Sequence, residues 1–258
     1  EHNEELKKFD NLNNKKEENE ENIRPIFIVG TPRCGSTLIE KVIASGKIRF
    51  PMGEETAVIS KIMGQKILGK ENFYSDKKKL KKEIISLLKK KELINKKYNF
   101  IFTDKSLDNF FFISLIKYIF PLAKVIHCKR NFVSSITSII KNNLGDVSWA
   151  HNPEHIFKFY DIYKKRIDYF SKIYPKFIYE IQLEDFVNNP EVESKKIMNF
   201  CDLPWDKECL EFYKRKDLTS RTASNIQIRK GIYSNNPASN EPYRELLSVY
   251  GNKYNWFN

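Results

Sequence analysis

The sequence lacks any apolar run that approaches the roughly 18 residues needed to span a bilayer. Its first 22 residues carry too many charges for a secretory signal peptide. The four cysteines form no CxxC pair, which argues against a zinc site or a disulfide framework and favours reduced thiols. These absences predict a soluble, cytoplasmic protein without stable membrane insertion.

What the chain has in quantity is positive charge and large apolar residues. It contains 258 residues with a formal net charge of +12, and 41% of the residues are hydrophobic and 14% aromatic. Such a composition is typical of a folded domain rather than a disordered chain. The charge favours nucleic acid, anionic membrane, an acidic polypeptide or a polyphosphorylated small molecule as a partner, and charge alone does not choose among them.

The chain divides into a charged leader and one domain. Residues 1–22 mix both charge signs without apolar periodicity, so we expect a solvated helix or a disordered segment there. Residues 23–258 are long enough for a single α/β domain. The sequence begins at Glu1 rather than Met, which leaves a further upstream segment open.

Short β-rich runs alternate with stretches of helical apolar spacing, which predicts a central parallel sheet flanked by helices. The predicted strands are 26–30, 100–103, 124–128 and 177–181. Residues 77–97 predict a basic amphipathic helix whose charged face is either solvated or in contact with a membrane or an acidic partner. The aromatic stripe of a second helix, 152–174, predicts core packing. The polar segment after about residue 215 is typical of a lid.

The segment GTPRCGST (30–37) follows a predicted strand and opens a helix, so its backbone N–H groups can hold a phosphate or sulfate. Its glycines have the G-x-x-x-x-G spacing of a phosphate loop. Ser36 stands where a Walker loop needs a lysine, and the only cation in the loop is Arg33. This difference disfavours a magnesium-dependent kinase or NTPase.

PRCGSTL (32–38) resembles the phosphosulfate loop of sulfotransferases that use 3′-phosphoadenosine 5′-phosphosulfate (PAPS). Within that family the chain is most similar to tyrosylprotein sulfotransferases and to bacterial sulfotransferase domains found behind tetratricopeptide repeats. The resemblance implies a P-loop NTPase-like three-layer α/β fold, with PAPS as co-substrate and PAP as product. It also implies that the loop residues Arg33, Cys34, Gly35, Ser36 and Thr37 bind the cofactor.

Two further segments resemble the family's binding elements for the 3′-phosphate. KVIHCKRNFVSSITS (124–138) places Arg130 and Ser138 at the family's spacing, and a guanidinium with a hydroxyl suits phosphate oxygens. RTASNIQIRKGIY (221–233) resembles the segment that closes over the cofactor. By that resemblance Ser224 contacts the sulfuryl group or the adjacent phosphate, and the 3′-phosphate is bound by Arg229, Lys230 and Gly231.

The catalytic assignments rest on GEET (53–56) and TDKSLDNF (103–110). By resemblance Glu55 is the general base for an acceptor hydroxyl, with Glu54 as the alternative. Lys105 contacts the bridging oxygen and, with Arg33 and Ser224, the sulfuryl oxygens. Cytosolic members carry a catalytic histidine where this chain has Leu107, which leaves the role of base to Glu55.

Several features depart from the family or stay open. Cys34 and Ser36 replace the usual Ser and Thr, and Leu183 replaces an adenine-side Tyr of tyrosylprotein sulfotransferases. Cys34 predicts either a reactive thiol at a helix N-terminus or an inert buried one. His151 and His155 have helical spacing but no third ligand nearby, so we expect no metal. His127, inside an apolar run, is interpreted as a core residue.

The sequence therefore predicts a sulfotransferase whose acceptor hydroxyl is a protein tyrosine, a glycan, a lipid or a small alcohol. Two alternatives stay open at this point. One is a P-loop kinase-like enzyme, and the other is a basic module that binds nucleic acid or membrane. We expect no nucleic-acid partner, because no aromatic residues are evident on a basic strand surface.

Overall fold

The computed structural model describes residues 22–69, 77–98, 100–145, 147–215 and 242–257. Its strands are β1 (Arg24–Gly30), β2 (Ile101–Asp104), β3 (Lys124–Lys129) and β4 (Ile178–Gln182). Its α-helices are α1 (Ser36–Ala44), α2 (Val58–Leu68), α3 (Lys77–Lys90), α4 (Ile113–Ile119), α5 (Phe132–Asn142), α6 (Pro153–Ile173), α7 (Leu183–Asn188), α8 (Pro190–Phe200) and α9 (Pro242–Gly251). Short 3₁₀ segments occupy Lys96–Tyr98, Leu107–Phe112, Ser148–His151 and Lys207–Lys214.

The four strands form one parallel sheet in the order β2-β1-β3-β4. All four predicted strands are present, displaced by one or two residues. The second begins at Ile101 because Phe100 has a left-handed φ of 56° and so cannot continue a strand. Because the sheet is parallel, the loops after β1, β2 and β3 emerge at the same edge, where open α/β sheets bind ligands.

Two apolar layers cover the sheet, one on each face. Along β1, Phe27 and Val29 join a cluster with residues of α2, α3, α4 and α6, whereas Ile26 and Ile28 join a second cluster with α1, α7 and α8. This alternation follows from the two-residue period of a strand. The predicted three-layer architecture is confirmed.

Of the two long helices predicted, the first is shorter than expected and the second has nearly the predicted length. Helix α3 ends at Lys90, seven residues before the predicted end, and its apolar side chains Leu80, Ile84 and Leu88 are buried in the core. That apolar face is therefore not available to a membrane. Helix α6 starts at Pro153, directly after the capping side chain of Asn152. Its stripe of aromatic and apolar side chains is largely buried in the core, as predicted.

A third cluster joins helices α5 and α6 to the last described residues. Phe157 of α6 packs on Tyr254 and Phe257, and Trp256 stacks on Tyr160. Among the described residues, no helix is both long and apolar enough to cross a membrane.

Candidate active site

The loop between β1 and α1 has the geometry of an anion-binding turn. Arg33 and Gly35 both adopt left-handed φ values, 70° and 91°. The N-cap residue of α1 is Gly35, which has no side chain with which to cap the helix, and a helix N-terminus of this kind suits an anion. A Cβ on Gly35 would lie 2.5 Å from Leu183 Cδ1, so only glycine fits beneath that side chain. Ser36 and Thr37 begin the helix and are buried.

The structure brings the two predicted phosphate-binding motifs together. Arg130 Nη1 donates to the Arg33 carbonyl oxygen at 2.9 Å, and Arg33 Nε donates to Ser138 Oγ at 3.0 Å. Asn142 Nδ2 donates to the Ser138 carbonyl at 2.7 Å and steadies the end of α5. Two guanidinium groups and a hydroxyl thus lie beside the loop, a combination suited to phosphate oxygens. Arg33 extends toward Ser138, the predicted 3′-phosphate end.

The two predicted catalytic side chains form an ion pair. Lys105 Nζ donates to Glu55 Oε1 at 2.7 Å, and the Lys105 backbone N–H donates to the Glu54 carbonyl at 2.7 Å. The Lys105 side chain is 1% exposed, whereas that of Glu55 is 55% exposed. The candidate base Glu55 thus both contacts the lysine and reaches solvent. An ammonium held at the end of a strand can stabilise negative charge that develops on a leaving group.

The ion pair rests on a buried network that the sequence analysis missed. Asp104 Oδ1 accepts from the Ser106 backbone N–H at 2.9 Å and from Asn109 Nδ2 at 3.3 Å, while Oδ2 accepts from Thr56 Oγ1 at 2.6 Å. Ser106 Oγ in turn accepts from the Ala57 backbone N–H. Burial raises the pKa of Asp104, although the bonds from Thr56 and Ser106 oppose that rise. The network fixes the segment 53–57 against the end of β2.

A second buried carboxylate, Glu40 of α1, was also missed. It is 0% exposed and accepts hydrogen bonds from Thr103 Oγ1 and from the Glu54 backbone N–H. The signal that could have found both carboxylates is a charged residue inside an otherwise apolar element next to a recognised motif. An unpaired charge at such a position would be strongly unfavourable.

Cys34 is a buried thiol, and the choice between its two predicted alternatives, reactive or inert, stays a prediction. The side chain is 1% exposed, and a Cβ on Gly30 would lie 2.8 Å from its Sγ, so the thiol lies beneath the loop. Contact with the Cys128 thiol and with Ser36 lowers the pKa of Cys34, although burial opposes this shift. Its backbone N–H donates to the Thr31 carbonyl at 3.2 Å.

His127 is a core residue, as predicted. Its Nδ1 contacts Glu180 Oε1 at 3.0 Å, its Nε2 contacts the Tyr163 hydroxyl, and burial lowers the pKa of its imidazole. Among the described residues, His151 and His155 included, no three metal-ligating side chains form a cluster. The predicted contacts of Ser224, Arg229, Lys230 and Gly231 fall outside the described residues.

Comparison with known proteins identifies the family of the chain. The family model described as "Sulfotransferase family" matches residues 25–207. An uncharacterized protein of Aquifex aeolicus (strain VF5) is 31% identical over 241 residues, which cover 87% of this chain and 31% of that protein. The chain thus spans about a third of the length of that relative.

Two solved structures share the fold. The sulfotransferase domain of the Synechococcus PCC 7002 olefin synthase is 18% identical with a TM-score of 0.59, covering 91% of this chain and 96% of that domain. The sulfotransferase STF1 of Mycobacterium tuberculosis H37Rv is 11% identical with a TM-score of 0.53, covering 89% of this chain and 77% of that one. On the family match, the chain belongs to the sulfotransferase family.

Proposed function

We propose that the chain transfers a sulfuryl group from PAPS to an acceptor hydroxyl. The observation that carries this proposal is the Lys105–Glu55 ion pair at the end of β2, at the sheet edge that also carries Arg33, Arg130 and Ser138. The edge thus offers groups for a bound phosphate and groups for proton and charge transfer. Family membership supports sulfuryl transfer in general, while the donor and the acceptor belong to the proposal.

Donor binding is assigned to the loop and to the two arginines. The N-terminus of α1 and the backbone around Gly35 receive the 5′-phosphosulfate. Arg130 and Ser138 receive the 3′-phosphate, and both are hydrogen-bonded to the loop residue Arg33. Ser36 in place of the Walker lysine supports this donor over ATP, because ATP carries more charge on its terminal phosphates for the loop to neutralise.

The transfer step is an in-line displacement at sulfur. The acceptor oxygen forms a bond to sulfur, while the bond between sulfur and the bridging oxygen breaks and its electron pair stays on the phosphate of PAP. The acceptor proton passes to the Glu55 carboxylate. The Lys105 ammonium stabilises the charge that develops on the departing oxygen. The 2.7 Å ion pair therefore opens as donor and acceptor enter.

The test is transfer of label from ³⁵S-labelled PAPS to a panel of acceptors that includes a tyrosine peptide, a glycan, a lipid and a small alcohol. We expect labelled product with at least one acceptor class. Glu55→Gln should reduce its formation by about 10²- to 10⁴-fold, the usual loss for a general base.

A thermal-shift assay with PAP and ATP provides an independent arm of the test. We expect PAP to stabilise wild type and Glu55→Gln alike, and ATP to stabilise either protein far less. Equal stabilisation by the two nucleotides would overturn the choice of donor. Unchanged turnover in Glu55→Gln would remove Glu55 from the role of base.

A further inference from the structure

Glu40 is a buried carboxylate whose position the reaction as proposed above does not explain. It lies on α1 among apolar neighbours, and the residue is 0% exposed. Burial of a carboxylate is unfavourable unless hydrogen bonds and an opposite charge compensate for lost hydration. The partners of this side chain therefore indicate what it does.

The contacts of Glu40 connect the donor side of the site to the acceptor side. Its Oε1 accepts from Thr103 Oγ1 at 2.7 Å and from the Glu54 backbone N–H at 3.1 Å. Thr103 also pairs with the segment that carries the predicted base, because its carbonyl accepts from the Gly53 N–H at 2.9 Å. One carboxylate thus links the helix behind the phosphate loop, the end of β2 and the Glu54–Glu55 segment.

The second oxygen of Glu40 differs from the first. Oε2 is buried and has no hydrogen-bond partner among the residues that the structure describes. The charges that act on this carboxyl are the Lys105 ammonium at the end of β2 and the Glu54 carboxylate on the neighbouring segment. Burial raises the pKa of Glu40 to about 7, against the opposing effects of Lys105, Thr103 and the Glu54 N–H. Glu40 therefore changes its charge near neutral pH.

Lys105 interacts with Glu40, because its ammonium charge lowers the pKa of that carboxyl. Its side chain is 1% exposed, and its hydrogen-bonded counter-ion is Glu55. In the proposed step Glu55 takes the acceptor proton and becomes neutral, whereas Glu40 stays bonded to Thr103 and to the Glu54 N–H.

We propose that Glu40 is a positioning residue for sulfuryl transfer, whose ionised carboxylate holds the end of β2, which leads into Lys105, and the segment that carries Glu55 in their relative positions. The same carboxylate fixes the Glu54–Glu55 segment through Thr103 and the Glu54 N–H. This inference rests on the proposed function. It adds a group that contacts neither donor nor acceptor.

The test compares wild type, Glu40→Gln and Thr103→Val, with the acceptor found by the labelled-PAPS screen. Glu40→Gln removes the charge at nearly constant volume. We expect kcat to fall by roughly 10- to 100-fold, the scale for misplaced catalytic groups, while the Kd for PAP changes by less than about threefold. The rise of kcat with pH that is centred near 7 in wild type should be absent in this variant.

Thr103→Val keeps Glu40 but removes the hydroxyl that favours its ionised form. We expect the same rise of kcat to move to higher pH, and this variant alone decides the matter if Glu40→Gln does not fold. Glu83→Gln, a half-exposed carboxylate on α3, is the control and should behave as wild type. An unchanged pH profile in Thr103→Val, or in a folded Glu40→Gln, would overturn the role of Glu40. Failure of wild type to use PAPS would instead overturn the proposed function.

Discussion

The phosphate side and the transfer side of the candidate site are built in different ways. At the phosphate side, Arg130 donates to a neutral carbonyl and Arg33 to a neutral hydroxyl, so these bonds do not cancel the positive charge of the guanidinium groups. At the transfer side, Lys105 is paired with Glu55, and its charge also lowers the pKa of the buried Glu40. These bonds of the phosphate side thus join cations to neutral groups, whereas the transfer side holds an ion pair that must exchange partners before it can act.

Removal of the lysine charge at the transfer side should have a large effect on the rate. Lys105→Met keeps an unbranched side chain and removes the ammonium, so transfer from PAPS should fall by about 10²- to 10³-fold, as when an electrostatic stabiliser of a transition state is lost. PAP affinity should change much less. Turnover with labelled PAPS and calorimetric titration with PAP provide the two measurements.

The matched control is Lys124→Met, since Lys124 forms an ion pair with Asp202 at the start of β3, far from the carboxyl ends of the strands. That variant should retain wild-type turnover. An equal loss in both variants would show that the effect reports general destabilisation rather than chemistry.

The phosphate side should respond in affinity instead of rate. Arg130→Ala removes a charged hydrogen-bond donor, and loss of such a bond, about 1.5–3 kcal/mol, raises the Kd for PAP by roughly 10- to 100-fold. The effect should shrink as salt is added. Arg166→Ala on the exposed face of α6 makes the same change in net charge and should leave the Kd unaltered. Similar Kd values for the two variants would mean that net charge, and not the site, determines binding.

Glu40, which belongs to the transfer side, should make the free energy of unfolding depend on pH. Its pKa is raised from 4.5 to about 7 in the folded chain. Between pH 4.5 and about 7, the Glu40 carboxylate therefore takes up a proton when the chain folds. Its stabilising contribution is therefore complete below pH 4.5 and is lost as pH rises through about 7. The full shift corresponds to at most about 3 kcal/mol.

Urea unfolding of wild type and Glu40→Gln at pH 5, 6, 7 and 8 measures this contribution. The deficit in unfolding free energy of the variant should be greatest at pH 5 and should shrink by pH 8. A difference that does not depend on pH would contradict a raised pKa in the folded protein.

The smallest effect is expected at Cys34. The thiol lies beneath the phosphate loop and is 1% exposed, so brief treatment of the native protein with iodoacetamide should leave it largely unlabelled. Added PAP should make no difference. Peptide mapping gives the rates, and rapid labelling that PAP suppresses would restore the reactive-thiol alternative.

The sequence was informative where chemistry follows from local spacing. The phosphate loop directly follows a buried strand, and Arg130 and Ser138 lie eight residues apart in one strand-loop-helix unit. Both features could therefore be predicted from the sequence. The helix boundaries were less visible, because the end of α3 depends on a left-handed Glu92 and on what the chain then contacts.

The supporting carboxylates could not be predicted in the same way. Glu40 and Asp104 belong to different elements, and their roles depend on partners such as Thr103 and Thr56 that only folding brings near. The orientation of Arg33 toward Ser138 likewise depends on a contact between residues 105 positions apart. Long-range contacts of this kind leave no periodic pattern in one sequence.

The central claim, that this sheet edge binds a 3′-phosphorylated donor for sulfuryl transfer, is tested most directly by a crystal structure of the protein with PAP. We predict the 3′-phosphate within hydrogen-bond distance of Arg130 and Ser138, the 5′-phosphate against the loop at Gly35–Thr37, and the Lys105 ammonium turned from Glu55 toward the 5′-phosphate. A nucleotide bound away from this loop, or one whose 3′-phosphate faces solvent with the Lys105–Glu55 pair intact, would contradict the account.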